Sequence, residues 1–372
     1  MTYEIPYLIK RDIKIDPNTN KIITIAGPRR SGKTYVMFQY MLDLQQMGVK
    51  KDSIVYVNFE NERLIGVNAS DLDFLLITHN ELFNPAEEIY IFLDEIQVVK
   101  NWDKWVRKIY DTGKYHLIIT GSSSELLSSE IATSLAGRNI SYVVYPFSFE
   151  EYLNSRGLKT DKLQKYSTEK GNILKAFDDF IEYGSFPEIA LTPSAQRKME
   201  ILSSYFDAIF FKDIVRRYGV GEIGEFLIYV LEKYEKSIRK KMSLQSKTYI
   251  IDIGIARLFS DIDKGRALEN AVFLEILRKK GPTQSINYLK LKSGKEVDFI
   301  ISGKTKEIIQ VPYQLSDALT KSREIRALVA AAKGLSLDEA KIITYNFEGE
   351  EVFDGVLIKY IPFWVWALPN MQ

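Results

Sequence analysis

The chain has 372 residues, 46% of them apolar and 27% charged, and a formal net charge of +1. That length predicts two or three domains, each able to bury its own core, and the near-neutral balance excludes a global pull toward nucleic acid or membrane. With no cysteine, a disulfide framework, a thiolate zinc site and a cysteine nucleophile are excluded.

The stretch Met1-Thr2-Tyr3-Glu4-Ile5-Pro6 lacks the basic-then-apolar pattern of a signal peptide. The apolar run Tyr360–Leu368 is too short to span a bilayer and contains Pro362. A cytoplasmic protein with no membrane partner is the expectation. Residues 3 to 20 read as a lead-in, closed by the turn Pro17-Asn18-Thr19-Asn20.

The β-branched run Ile22-Ile23-Thr24-Ile25-Ala26 comes next, then Gly27-Pro28-Arg29-Arg30-Ser31-Gly32-Lys33-Thr34, then a helix-like segment to about Gln46. This is the strand, loop and helix order of a phosphate-binding loop. Its glycines let successive backbone N–H groups curl around a polyphosphate. Lys33 would reach the terminal phosphates, Thr34 would hold Mg²⁺, and the helix would point its positive end at the anion. Arg29 and Arg30 would face either solvent or nucleotide.

Further strands are expected at Ser53–Phe59, Glu88–Leu93, His116–Thr120 and Ile140–Tyr145. Asn84-Pro85 breaks the helical segment after the second strand. Trp102, Trp105, Ile109 and Tyr110 mark a helix between the third and fourth. Apolar strands alternating with helices predict an α/β domain with a parallel sheet covered on both faces. Phosphoryl transfer also needs a metal held and a water positioned. Asp94 and Glu95, ending the third strand, would supply the metal ligand and the water-polarising carboxylate. Thr120, ending the fourth, would bond either a γ-phosphate or its own local backbone. Arg138 is either an arginine finger acting on a neighbouring subunit or a salt-bridged surface residue.

Gly27–Thr34, Phe92-Leu93-Asp94-Glu95-Ile96-Gln97, Thr120-Gly121-Ser122-Ser123-Ser124 and Leu135-Ala136-Gly137-Arg138 resemble the archaeal ATPase family of the AAA+ superfamily, including its Walker A and Walker B signatures. The resemblance continues through Tyr183-Gly184-Ser185-Phe186-Pro187-Glu188, Phe211-Lys212-Asp213-Ile214, Leu268-Glu269-Asn270, Glu296-Val297-Asp298-Phe299 and Ile361-Pro362-Phe363-Trp364-Val365-Trp366. It implies a P-loop AAA+ core over 1–149 with strand order 5-1-4-3-2, and a helical lid over 150–218. Beyond these it implies a winged-helix segment and a C-terminal α/β domain of the PD-(D/E)xK nuclease fold over 248–372.

Only about 30 residues separate the helix near 212–218 from the strand beginning at Thr248, too few for a complete winged helix. The segment 219–247 therefore reads as a remnant: a short helical piece and a basic turn. Between Lys212 and Lys247 there are nine Lys/Arg against five Asp/Glu. That excess reads either as a surface tracking DNA phosphates or as a solvated helix face. In the nuclease fold, Asp298 and Gln310 would ligate Mg²⁺, with Glu269 or Glu275 as a further ligand. The fold's lysine is replaced by Pro312, so its charge would have to come from Lys290, Lys292, Lys295 or Lys321. A degenerate domain is expected. ATP and Mg²⁺ are the expected cofactors, with either a conformational or an assembly switch as the output and a homo-oligomer as one candidate partner state. An ATP-gated nuclease and a signalling switch with little turnover are the alternatives.

Overall fold

The computed structural model describes residues 5–83, 88–122, 134–158, 169–209, 228–235, 246–291, 293–312 and 318–368. Asn84-Pro85, Ser123-Ser124, the 212–218 helix, Lys292, the Lys321 side chain and most of the basic stretch lie outside these described residues. The chain divides into two compact units, Met1–Pro146 with Ile209–Arg217, and Phe147–Ala208 with Tyr218–Gln372.

In the first unit, β1 (Ile22–Gly27) leads through a tight loop into α1 (Lys33–Gln46). Then follow β2 (Ile54–Asn58), α2 (Leu72–Phe83), β3 (Ile89–Asp94), α3 (Trp102–Tyr110), β4 (Tyr115–Ser122) and β5 (Asn139–Val143). The five strands form one sheet in the order β2-β3-β4-β1-β5, and every pair is parallel. This is the order that the family resemblance implies. Strands β1 and β3 are buried along their whole length, because helices cover both faces. Ile23 and Ile25 pack with Val36, Met37 and Tyr40 of α1. Ile22 and Ala26, pointing the other way, share a core with Trp102, Trp105 and Val106 of α3.

The second unit starts with α4 (Phe149–Ser155), whose Ser148 and Glu151 form a reciprocal capping box. Helices α5 (Lys170–Tyr183), α6 (Pro187–Leu191) and α7 (Ala195–Asp207) follow. These four helices, expected as a lid, fall in one unit with the C-terminal part of the chain. Where a short helical piece was expected, β6 (Ile228–Leu231) instead pairs antiparallel with β7 (Lys247–Ile250). The β-branched and aromatic run Ile228-Tyr229-Val230 suits a strand once a partner strand is present. Helices α8 (Ile253–Arg257) and α9 (Lys264–Lys279) lead into six strands: β8 (Ser285–Lys290), β9 (Glu296–Ser302), β10 (Lys306–Gln310), β11 (Glu339–Thr344), β12 (Gly349–Phe353) and β13 (Val356–Pro362). Their order is β12-β13-β11-β10-β9-β8. Strands β8, β9 and β10 are antiparallel neighbours, whereas β10, β11 and β13 run parallel.

Between β10 and β11 the chain passes through α10 (Ala318–Leu335), and Leu328 and Ala332 pack on Ile300, Ile308 and Ile342 of the sheet. The terminal α11 (Phe363–Trp366) is buried, with Phe363 stacked on Phe177 of α5 at 4.9 Å. No helix among the described residues is long and apolar enough to cross a membrane.

One turn in this unit explains the Gly184-Ser185 pair. Gly184 has φ 81, and a Cβ there would lie 1.8 Å from Asp252 Oδ1. Asp252 is fully buried and accepts the Ser185 N–H (2.6 Å), the Ser185 hydroxyl (3.2 Å) and the Gly254 N–H (2.9 Å). Burial outweighs those bonds and pushes its carboxyl up to about 6. As pH rises from about 4 to about 6 the unfolded carboxyl ionises before the native one, so this group's contribution to stability falls across that window. Asp252→Ala should lower stability by about 2–4 kcal/mol, because it strands two buried N–H donors. It should also remove that pH slope, which urea unfolding between pH 4 and 7 would measure.

Candidate functional site

The C-terminal ends of β1, β4 and β3 lie side by side, which in an open parallel sheet is where ligands bind. The loop after β1 is shaped by close approach. A Cβ on Gly27 would sit 2.3 Å from the Val144 carbonyl oxygen, so only glycine fits. Gly32 at φ 97 precedes the first turn of α1, and Arg30 at φ 66 also adopts the left-handed region. The Ser31 hydroxyl is buried and has no hydrogen-bond partner among the described residues, an orphan that a phosphate oxygen would satisfy.

Lys33 is buried and its ammonium lies 3.2 Å from Glu95 Oε1 and 3.4 Å from the Pro28 carbonyl oxygen. The Thr34 hydroxyl donates to Asp94 Oδ2 (2.8 Å), the Tyr56 hydroxyl donates to the same oxygen (3.0 Å), and Thr120 donates to Asp94 Oδ1. Burial pushes the Asp94 carboxyl up, and the hydroxyls only partly counter it. A buried carboxylate met by hydroxyls, its only side-chain partners among the described residues, gains from a hard cation.

Thr120 also accepts the Glu95 N–H at 2.9 Å, so its hydroxyl fixes both acidic residues. Glu95 has φ 55, a conformation that costs a non-glycine residue energy and that clusters at functional sites. Its carboxylate is held on the other side by the Gln97 amide at 2.5 Å.

Two positioning residues carried no readable signal in the sequence. Tyr56 lies mid-strand in β2, where its ring scores only as β-propensity. Arg11 sits in the lead-in, buried, and donates to the Ser31 carbonyl oxygen (2.8 Å) and the Tyr145 carbonyl oxygen (2.7 Å). It thus ties the loop to the chain beyond β5. Arg11→Ala leaves both carbonyls without that donor, and should cost about 2–3 kcal/mol of stability. The loosened loop should bind nucleotide about tenfold more weakly, as calorimetric titration would show.

The remaining candidates lie elsewhere. Arg29 forms an exposed ion pair with Glu60 at 3.3 Å. Arg138 pairs with Asp111 at 3.3 Å, and its carbonyl accepts the N–H of Ile22 at the start of β1. That is the opposite end of a six-residue strand from the loop, about 17 Å away. In the second unit Asp298 and Gln310 do meet, since the Gln310 side-chain oxygen accepts the Asp298 N–H at 3.2 Å. Glu275 is engaged elsewhere, accepting the Phe149 N–H (3.1 Å) and pairing with Arg278 (2.9 Å).

Residues 19–153 match the family described as an AAA domain. An uncharacterized protein of Methanocaldococcus jannaschii is 40% identical over 97% of this chain and 91% of its own length. The chain belongs with it to one family, and its own AAA domain makes it a P-loop AAA protein. An uncharacterized protein of Haemophilus influenzae is 27% identical over 94% of this AAA protein and 95% of its own length. Among solved structures, Cdc6p of Pyrobaculum aerophilum covers 50% of the chain and 55% of its own, at 13% identity and a TM-score of 0.30. Residues 264–366, from α9 to α11, match a domain of unknown function, DUF4143. The nuclease assignment expected there gains no support from that match, and the AAA domain alone identifies a nucleotide-binding protein.

Proposed function

We propose that this AAA protein hydrolyses ATP with Mg²⁺ at the site built by Gly27–Thr34, Asp94 and Glu95. One observation carries the reading: Lys33 and Thr34 at the start of α1 meet Glu95 and Asp94 at the end of β3 within ion-pair and hydrogen-bond distance. The Gly27–Thr34 backbone and the N-terminus of α1 would cradle the phosphates, and the orphan Ser31 hydroxyl would find a partner among them. Thr34 and Asp94 offer the hard oxygen donors that suit Mg²⁺, which when bound neutralises charge on the transferring phosphoryl group.

Lys33 and Glu95 have linked roles. Without nucleotide the ammonium neutralises the carboxylate. ATP draws Lys33 toward its phosphates and leaves Glu95, steadied by Gln97 and Thr120, to take the proton from the attacking water. The water oxygen bonds to the γ-phosphorus as the bond to the β–γ bridging oxygen breaks, releasing ADP and phosphate. Arg138 would join this chemistry only at the site of a second copy, given its place at the far end of β1. Steady-state phosphate release from ATP with and without Mg²⁺ tests the reading; binding without release would reduce the protein to a nucleotide-operated switch.

A further inference from the structure

The fold resemblance implies a divalent metal at Asp298 and Gln310, and the donors present do not suit one. Lys247, at the first position of β7, places its ammonium 2.7 Å from Asp298 Oδ1 and 3.0 Å from Glu269 Oε1. Tyr249, two residues on and so on the same face of the strand, donates to that same Glu269 oxygen at 2.7 Å. The other Asp298 oxygen accepts the Val311 N–H at 2.9 Å. The Gln310 amide is spent in both directions, accepting from Asp298 N and donating to Glu324 at 2.9 Å. Mg²⁺ asks for about six oxygens in a tight octahedron. Here each Asp298 oxygen, the bridged Glu269 oxygen and the Gln310 oxygen already accept from an N–H, an O–H or the ammonium. Among the described residues no group of three or more His, Cys, Asp or Glu comes together to hold a metal.

We infer that Lys247 is the resident cation of the C-terminal domain: its ammonium occupies the position between Asp298 and Glu269 that a divalent metal would need, so the domain takes up no catalytic metal there. Two carboxylates, Asp298 at 2.7 Å and Glu269 at 3.0 Å, hold the charge of the ammonium between them. The charge missing at Pro312 therefore comes from a strand upstream of the whole α9–β11 core. It does not come from Lys290, which pairs with Glu296 at 3.1 Å. Held this way, the lysine ties β7 to α9 and β9, a role for which metal-assisted phosphodiester cleavage is not required.

Mn²⁺ is the probe, titrated into the nucleotide-free full chain and followed by the loss of its free electron paramagnetic resonance signal. Comparing each protein with its Asp298→Asn counterpart cancels uptake elsewhere. Wild type should show no Asp298-dependent uptake. Lys247→Ala and Lys247→Met should each gain one Mn²⁺ per chain, bound at least about tenfold more tightly than by wild type, because a neighbouring positive charge has gone. That site should vanish again with Asp298→Asn, and Lys247→Arg should behave as wild type. Asp298-dependent Mn²⁺ uptake by the wild-type chain would overturn the inference, as would Asp298-dependent cleavage of labelled DNA in Mn²⁺. Folded Lys247→Ala and Lys247→Met proteins that gain no Mn²⁺ would overturn it too.

Discussion

Lys33→Ala is expected to abolish measurable nucleotide binding and to destabilise the nucleotide-free protein. Two separate losses follow from one truncation. A charge-assisted contact to phosphate goes, and with it the residue that anchors the loop's first helical turn. An affinity loss of at least about 100-fold, about 2.7 kcal/mol, is the expected size. The second loss is internal. Lys33 and Glu95 are both largely buried and 3.2 Å apart, and removing one member of such a pair leaves the other charge uncompensated. Glu95 keeps its bond from Gln97, so the cost should be about 1–3 kcal/mol, below the range for a fully buried broken pair. The double variant Lys33→Met with Glu95→Gln separates the effects, since neutralising both partners should recover stability and leave binding lost. Calorimetric titration and thermal melts read the two losses independently.

Glu95→Gln should have the opposite signature. The amide keeps the side chain's shape and the backbone at φ 55, so the site stays assembled. On the proposed mechanism ATP competes with Glu95 for the Lys33 ammonium in the wild type, and in the variant that competitor is neutral. Nucleotide affinity should therefore be unchanged or a few-fold tighter, while turnover falls by about 10²–10⁴, the usual range for losing a general base. A variant that merely distorted the site would weaken binding and turnover together, so the split between the two is what identifies the role.

The parts of this site that sequence reading reached are those whose signal is local. The Gly27–Thr34 spacing, the apolar run ending at Asp94 and Glu95, and a threonine ending the next strand each sit within a dozen residues, and strand order then brings them together. For Thr120 the two readings were a phosphate or local bonding, and its hydroxyl here serves Asp94 and the Glu95 N–H. Arg11 and Lys247 escaped for the converse reason. Arg11 acts on carbonyls 20 and 134 residues away, and Lys247 on carboxylates 22 and 51 residues away. No periodicity records such a pairing. The 228–231 strand was missed because its partner lies across a basic stretch that reads as helix or turn. In the last domain the apolar runs within β9, β10 and β11 are legible as strands from the sequence alone. The outer strands β8 and β12 are half-exposed, which blurs their hydrophobic pattern.

The central claim is that ATP is hydrolysed at the Lys33–Glu95 site, and phosphate release measured on wild type and Glu95→Gln at equal nucleotide occupancy tests it most directly. Steady release by the wild type in Mg²⁺, with Glu95→Gln slower by at least about 100-fold at saturating ATP, is the predicted result. Release by Glu95→Gln at the wild-type rate would contradict it.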